Sequence, residues 1–288
     1  MPGIVTETAF EGTLLNALLS GPSAVPAIYW LGQAGFIVDI AGCRLVIDPY
    51  LSDSLADKYK GTPRPHIRMS PAPITPEDLG NVDYVLCTHA HTDHMDPGTL
   101  PPLLAANPNA RLIAPRAAKA QALERSGIEH NRLMLLDAGE KLALADGLAV
   151  TATRAAHETL DRDGDGNHRF LGYCVQSATV TLWHSGDCIP FDGLIDEVGL
   201  LHPDIALLPV NGRRPELSMN GVPGNFTLDE AVHVARAIGA GTLVAHHYGL
   251  FEFNTLAPDI IDLRSHSQTA PRLVRARHAI ALHLSNPD

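Results

Sequence analysis

The chain has 288 residues, 45% of them hydrophobic, enough to bury a substantial core in one large domain spanning residues 1–288. Its formal charge of −11 counts against nucleic acid as the main partner, because phosphate binding needs clustered positive charge. Cys43, Cys87, Cys174 and Cys188 lack any CxxC spacing, which argues against a disulfide framework or a thiolate zinc ribbon.

No run of about eighteen apolar residues is present, and the short apolar patch at 14–19 follows Glu7 and Glu11 rather than the basic residues of a signal peptide. A cytoplasmic protein that does not span a membrane is the expectation. In chain order, strands are predicted at 27–30, 35–40 and 44–48. A basic, proline-containing stretch follows at 57–71, with Lys58, Lys60, Arg64 and Arg68; it reads as a solvated loop or subunit contact, with a lid over an anionic substrate as the alternative. A subunit contact there would make the protein a homo-oligomer. The next strand, at 82–87, runs into LCTHAHTDHMDP, and Asp96-Pro97 at the end of that motif predicts a helix start. Beyond it come a strand at 112–114, a helix at 116–126 stopped by Gly127, and strands at 148–153, 173–176, 180–183 and 205–209. Thr227-Leu-Asp-Glu230 is a capping box that opens an amphipathic helix ending before Gly239, and a last strand is predicted at 242–245. This mixed order implies an α+β protein with sheets covered by helices.

The motif at 86–97 carries the chemistry. Residues two apart in an extended segment face the same side, so His89 and His91 can converge on one ion where the strand runs out. Asp93 and His94 fall in the turn that follows, placed for a second ion. Imidazole with carboxylate suits zinc, and also manganese or iron, whereas magnesium or calcium sites are dominated by oxygen. Three other ligand-type positions close apolar runs: His157, Asp187, and the adjacent pair His246 and His247.

Together these residues complete the pattern H-x-H-x-D-H, His, Asp, His, and the sequence resembles the metallo-β-lactamase superfamily from Tyr29 to Phe251. The resemblance implies a four-layer αββα sandwich, two mixed sheets flanked by helices, with a two-metal site at one edge. By that pattern His89, His91 and His157 hold one divalent metal and Asp93, His94 and His247 the other. Asp187 bridges them, and His246 is the alternative to His247. Zinc is the expected metal, manganese the alternative. WLGQAGFIVD, LVIDPYLSD and WHSGD are similar to the branch containing L-ascorbate 6-phosphate lactonase, and the resemblance to the superfamily implies that an aspartate placed like Asp48 supports the ligands from behind. Departures are Cys188, where serine is usual, and AHHYG in place of a Pro-led last motif.

Such a pair of cations acidifies a water trapped between them and polarises the bond to be split, while Asp93 orients the nucleophile and passes a proton to the leaving oxygen. The expected activity is opening of a lactone or similar cyclic ester, with a phosphodiesterase as the alternative and a non-catalytic metal-binding scaffold as the reading from another class. No G-x-S-x-G elbow is present. Asn211 and Arg213, at a predicted strand end, are candidate contacts to a small, anionic substrate. DRDGDGNHR, at 161–169, opens like a calcium loop, but its twelfth position is Gly172 instead of glutamate, so it reads as a polar turn.

Overall fold

Two mixed β-sheets stack face to face in the computed structural model, which describes residues 4–285. The first sheet contains β1 (Ile4–Ala9), β2 (Ala27–Gly32), β3 (Gly35–Ile40), β4 (Cys43–Ile47), β5 (Tyr84–Leu86), β6 (Arg111–Pro115), β7 (Leu133–Leu136) and β15 (Ile280–Ser285), in the spatial order β1-β15-β2-β3-β4-β5-β6-β7. The second is ordered β14-β13-β12-β11-β10-β9-β8, from β8 (Lys141–Ala145), β9 (Leu148–Arg154), β10 (Leu171–Gln176), β11 (Thr181–His184), β12 (Ile205–Pro209), β13 (Thr242–His246) and β14 (Arg272–Arg275). Each sheet is parallel on one side and antiparallel on the other, with the change of direction at β4 and β11.

Strands buried on both faces need apolar residues at every position, and β12 is such a strand. Its Ile205 and Leu207 face the inter-sheet core with Phe36, Val38, Ile47 and Tyr173, while Ala206 and Leu208 face the outer layer. Helices α1 (Leu14–Leu18), α3 (Leu100–Ala106) and α4 (Lys119–Ser126) cover the first sheet through Leu14, Leu18, Leu103, Leu104 and Ala122. Helices α5 (Leu194–Gly199), α7 (Leu228–Ala237) and α8 (Pro258–Ser267) cover the second through Leu194, Val198, Val232, Ala235 and Ile261. The layer order is therefore αββα, as expected. Two short helices, α2 (Ser54–Lys58) and α6 (Pro215–Ser218), lie in loops.

The predicted strands all form, within a few residues of their expected ends, and the capping box closes as read, with Thr227 and Glu230 satisfying each other's backbone N–H groups. One boundary moves. Pro97 and Gly98 form a turn, and α3 begins at Leu100. Asp96 is instead buried as an acceptor for Ser52 Oγ (2.7 Å), Ser54 Oγ (2.6 Å), Thr99 Oγ1 (2.5 Å) and the Gly98 N–H (3.0 Å), which ties the loop before α2 to the ligand-bearing turn. No helix among the described residues is long and apolar enough to cross a membrane.

Candidate metal centre

The strand ends converge at one edge of the sandwich. After β5, Cys87 N–H still bonds to Ile113 O (2.9 Å), and Leu171 N–H bonds to Thr88 O (3.0 Å), so the segment entering the histidine motif is held by both sheets. The chain then turns, with His94 and Met95 N–H groups donating to His91 O. This turn delivers His89, His91, Asp93 and His94 together. His157 follows β9, Asp187 follows β11, and His247 follows β13.

All seven side chains come together. Ligand atoms within each of three sets lie no more than 4.8 Å apart: His89, His91, His157; His89, His94, Asp187; and Asp93, His94, His247. Asp187 faces both halves, its Oδ2 3.6 Å from His157 Nε2 and its Oδ1 3.3 Å from His247 Nε2. Asp187 Oδ2 also lies 3.3 Å from His94 Nε2. Buried polar atoms ordinarily find hydrogen-bond partners, yet His89 Nε2, His94 Nε2, His157 Nδ1, Asp187 Oδ1 and both ring nitrogens of His247 have none. A divalent cation fits this donor set, since ring nitrogens and a carboxylate oxygen gathered in the interior without hydrogen-bond partners are what such an ion requires.

The electrostatics agree with that fit. Burial pushes His89, His91 and His157 below the usual imidazole range, His157 to about 4, so these rings are neutral at pH 7, the form a metal ligand needs. Burial also opposes charge on Asp187, but His247 and His94 outweigh it and hold the carboxyl well below its ordinary value. Asp93 is likewise kept ionised: burial raises it, while His94, His247 and a hydrogen bond from Gln33 bring it down.

Asp48 lies behind the ligands. Its Oδ2 is 2.7 Å from His94 Nδ1 and accepts from Thr88 Oγ1 (2.6 Å), and its Oδ1 accepts from the Thr88 N–H (2.7 Å). Thr88 Oγ1 lies 3.0 Å from His89 Nδ1. Two ligand rings are thus oriented through Nδ1, leaving Nε2 for the site.

Between the adjacent histidines the backbone decides. His246 is the last residue of β13 and is fully buried in the core, stacked on His184 (5.0 Å) and edge-on to Phe36 (5.1 Å). His247 leaves the strand at φ +62°, its N–H bonded to Gln33 O (2.9 Å), and its ring joins the cluster. Gly186 plays a similar part for Asp187. At φ +62° with a would-be Cβ 2.5 Å from Leu171 O, only glycine fits there.

A cleft of about 270 Å³ opens over the cluster, lined by His91, Asp93, His157, Asp187 and His247 on one part and by Gln33, Lys58, Tyr59, His66, Phe251 and Asn254 on others. Gln33, whose Nε2 donates to Asp93 Oδ2 (2.9 Å), went unassigned in the sequence although it stands in the WLGQAGF motif. The two residues expected to contact substrate do not line this cleft. Arg213 is not on the cleft wall; its two terminal guanidinium nitrogens donate to the Glu230 carboxylate of the capping box at 2.6 Å. Asn211 is also off the wall, and its Nδ2 donates a hydrogen bond to Oδ1 of Asn254, which lines the cleft (3.0 Å). The basic stretch does reach the cleft, through Lys58, Tyr59 and His66, while Arg68 is spent on Tyr50 O and Ser52 O. At 161–169 the polar turn is as read: Asp163 Oδ1 accepts from the Asp165 and Asn167 N–H groups.

Comparison with known proteins agrees with this geometry. Residues 43–248 match the beta-lactamase superfamily domain. A UPF0173 metal-dependent hydrolase of Azorhizobium caulinodans is 31% identical over 255 residues, covering 83% of this chain and 93% of the relative. An N-acyl-phosphatidylethanolamine-hydrolyzing phospholipase D of Caenorhabditis elegans is 26% identical, over 78% of this chain and 64% of its own. In fold, the metallo hydrolase Igni18 of Ignicoccus hospitalis superposes with a TM-score of 0.68 at 20% identity, over 92% of this chain and 100% of that one. The chain is a member of the metallo-β-lactamase superfamily and, within it, of the UPF0173 metal-dependent hydrolases.

Proposed function

We propose that this hydrolase opens a lactone or similar cyclic ester of a small, anionic substrate. The observation that carries the reading is the meeting, beneath one cleft, of seven ligand-type side chains, Asp187 among them, with Gln33 on the cleft wall and Asp48 buried behind His94; Gln33, Asp48 and Asp187 come from the three stretches similar to the lactonase branch. His89, His91 and His157 would hold one divalent cation, Asp93, His94 and His247 a second, with Asp187 shared; zinc suits this histidine-rich set best, manganese next. Bound there, the cations supply Lewis acidity and bring the pKa of a water toward neutrality.

The chain's own residues do the rest. Asp93, ionised and anchored by Gln33, orients the attacking water and passes its proton to the ring oxygen as the acyl C–O bond breaks, giving a hydroxy acid. Lys58, on the cleft wall with no carboxylate partner among the described residues, is the group that attracts an anionic substituent. No side-chain nucleophile is needed. Cys188, beside Asp187, is buried with its thiol pushed up to about 12, so it offers no thiolate.

The second reading, phosphodiester hydrolysis, is favoured by the similarity to the C. elegans phospholipase D. Assay of metal-loaded protein against a panel of lactones and against bis(p-nitrophenyl) phosphate separates the two. Lactone opening is the expected result; phosphodiester turnover without any lactone opening reverses the order.

A further inference from the structure

His66 lines the same cleft as His91, Asp93, His157, Asp187 and His247, but it belongs to none of the ligand sets. Its ring is fixed on several sides. It stacks on Tyr59 with 4.2 Å between centroids and 25° between planes, and it meets Phe251 and Phe253 edge-on at 4.9 and 4.8 Å. Nδ1 lies 3.0 Å from the carbonyl oxygen of Arg64. A carbonyl only accepts, so Nδ1 carries the proton, and in a neutral imidazole Nε2 is then a bare acceptor. Burial lowers the ring's pKa and outweighs the opposing pull of Asp93, so the ring is neutral at pH 7. Nε2 has no hydrogen-bond partner among the described residues and is not closed off from solvent.

A lone pair held rigidly on a cleft wall selects for a donor on whatever occupies the cleft. Lys58 offers donors only and so cannot accept a substrate O–H, and the acceptors of the candidate ligand set would be taken up by cations, whereas His66 Nε2 would stay available to accept one. We infer that His66 Nε2 accepts a hydrogen bond from a substrate hydroxyl group, making His66 a specificity-determining residue that favours hydroxylated lactones over their deoxy counterparts. This rests on the ester-opening reading.

The test pairs glucono-δ-lactone with δ-valerolactone, and erythronolactone with γ-butyrolactone, in metal-loaded wild type, His66→Phe and His66→Gln. Phe keeps the aromatic packing without the acceptor, and Gln restores an acceptor without a ring. The expected result for His66→Phe is a loss of about tenfold in kcat/KM on the hydroxylated member of a pair, little change on the deoxy member, and most of the preference regained in Gln. Metal content and melting temperature stay at wild-type values in both variants. Nitrogen NMR of the wild-type His66 ring shows an unprotonated Nε2 at neutral pH, and its signal moves on addition of the ring-opened hydroxy acid. Equal losses on both members of each pair, or an Nε2 signal indifferent to that acid, overturn the inference while ester opening stands. Absence of lactone turnover in the wild type overturns both.

Discussion

Asp48 Oδ2 lies 2.7 Å from His94 Nδ1, with both side chains fully buried, and this contact sets which nitrogen His94 presents to the ligand cluster. The same carboxylate binds Thr88 twice, and Thr88 in turn touches His89. One aspartate therefore orients the rings that stand at the junction of the two halves of the site.

Replacing Asp48 with Asn sets an amide donor or a weaker acceptor against the His94 Nδ1–H. Metal affinity is expected to fall about 10–100-fold while the fold persists, since a partner behind a ligand contributes on that scale. Competition titration against a chelator measures this. Affinity equal to wild type contradicts the role given to Asp48.

Metal binding is predicted to expel a proton from His94. Burial works against charge on this ring, but Asp187, Asp48 and Asp93 surround it and hold its pKa well above the usual 6.5 in the metal-free protein. A raised pKa means the protonated form dominates at neutral pH, so a cation arriving at Nε2 has to displace that proton. His89, His91 and His157, lowered chiefly by burial, have none to give. Apparent metal affinity therefore rises with pH up to the raised His94 value and levels off above it. Calorimetry in two buffers of different ionisation enthalpy reports the released proton; affinity that stays flat between roughly pH 6 and 8 contradicts the assignment.

Gly186→Ala is predicted to lose both stability and metal. Its φ of +62° and the 2.5 Å approach of a Cβ to Leu171 O force the backbone apart just before Asp187, at a cost of about 1–3 kcal/mol or more. Gly239→Ala is the control, because that position also has positive φ (+81°) but nothing within 4 Å of its Cβ. Denaturant unfolding and metal content separate them: Gly239→Ala pays only backbone strain and keeps its metal.

Much of the architecture and the gathering of the seven candidate ligands was legible in the sequence, for physical reasons that also explain the gaps. Central strands such as β12 and β13 are continuous apolar runs because both faces are buried, and a ligand at the end of such a run stands out. Edge and near-edge strands went unread. β1 pairs with β15 across nearly the whole chain, from Ile4 to Ser285, and no local pattern encodes that partnership. β8, KLALA, alternates between exposed and half-buried residues at the rim of its sheet. The choice between His246 and His247 depended on where one strand ends, a single-residue matter set by the positive φ at His247. The pairing of Arg213 went unread although its partner was in view: the Glu230 that completes the capping box is the carboxylate that holds it. Gln33 and His66 reach the cleft from loops, where side-chain direction has no period to betray it.

The central claim is that seven side chains from four strand ends hold a pair of divalent cations. Elemental analysis of protein purified without chelator tests it most directly. The account predicts two metal equivalents per chain in the wild type, and a clear deficit in Asp187→Ala, the residue facing both halves. Wild-type protein that remains free of metal after dialysis against zinc or manganese contradicts it.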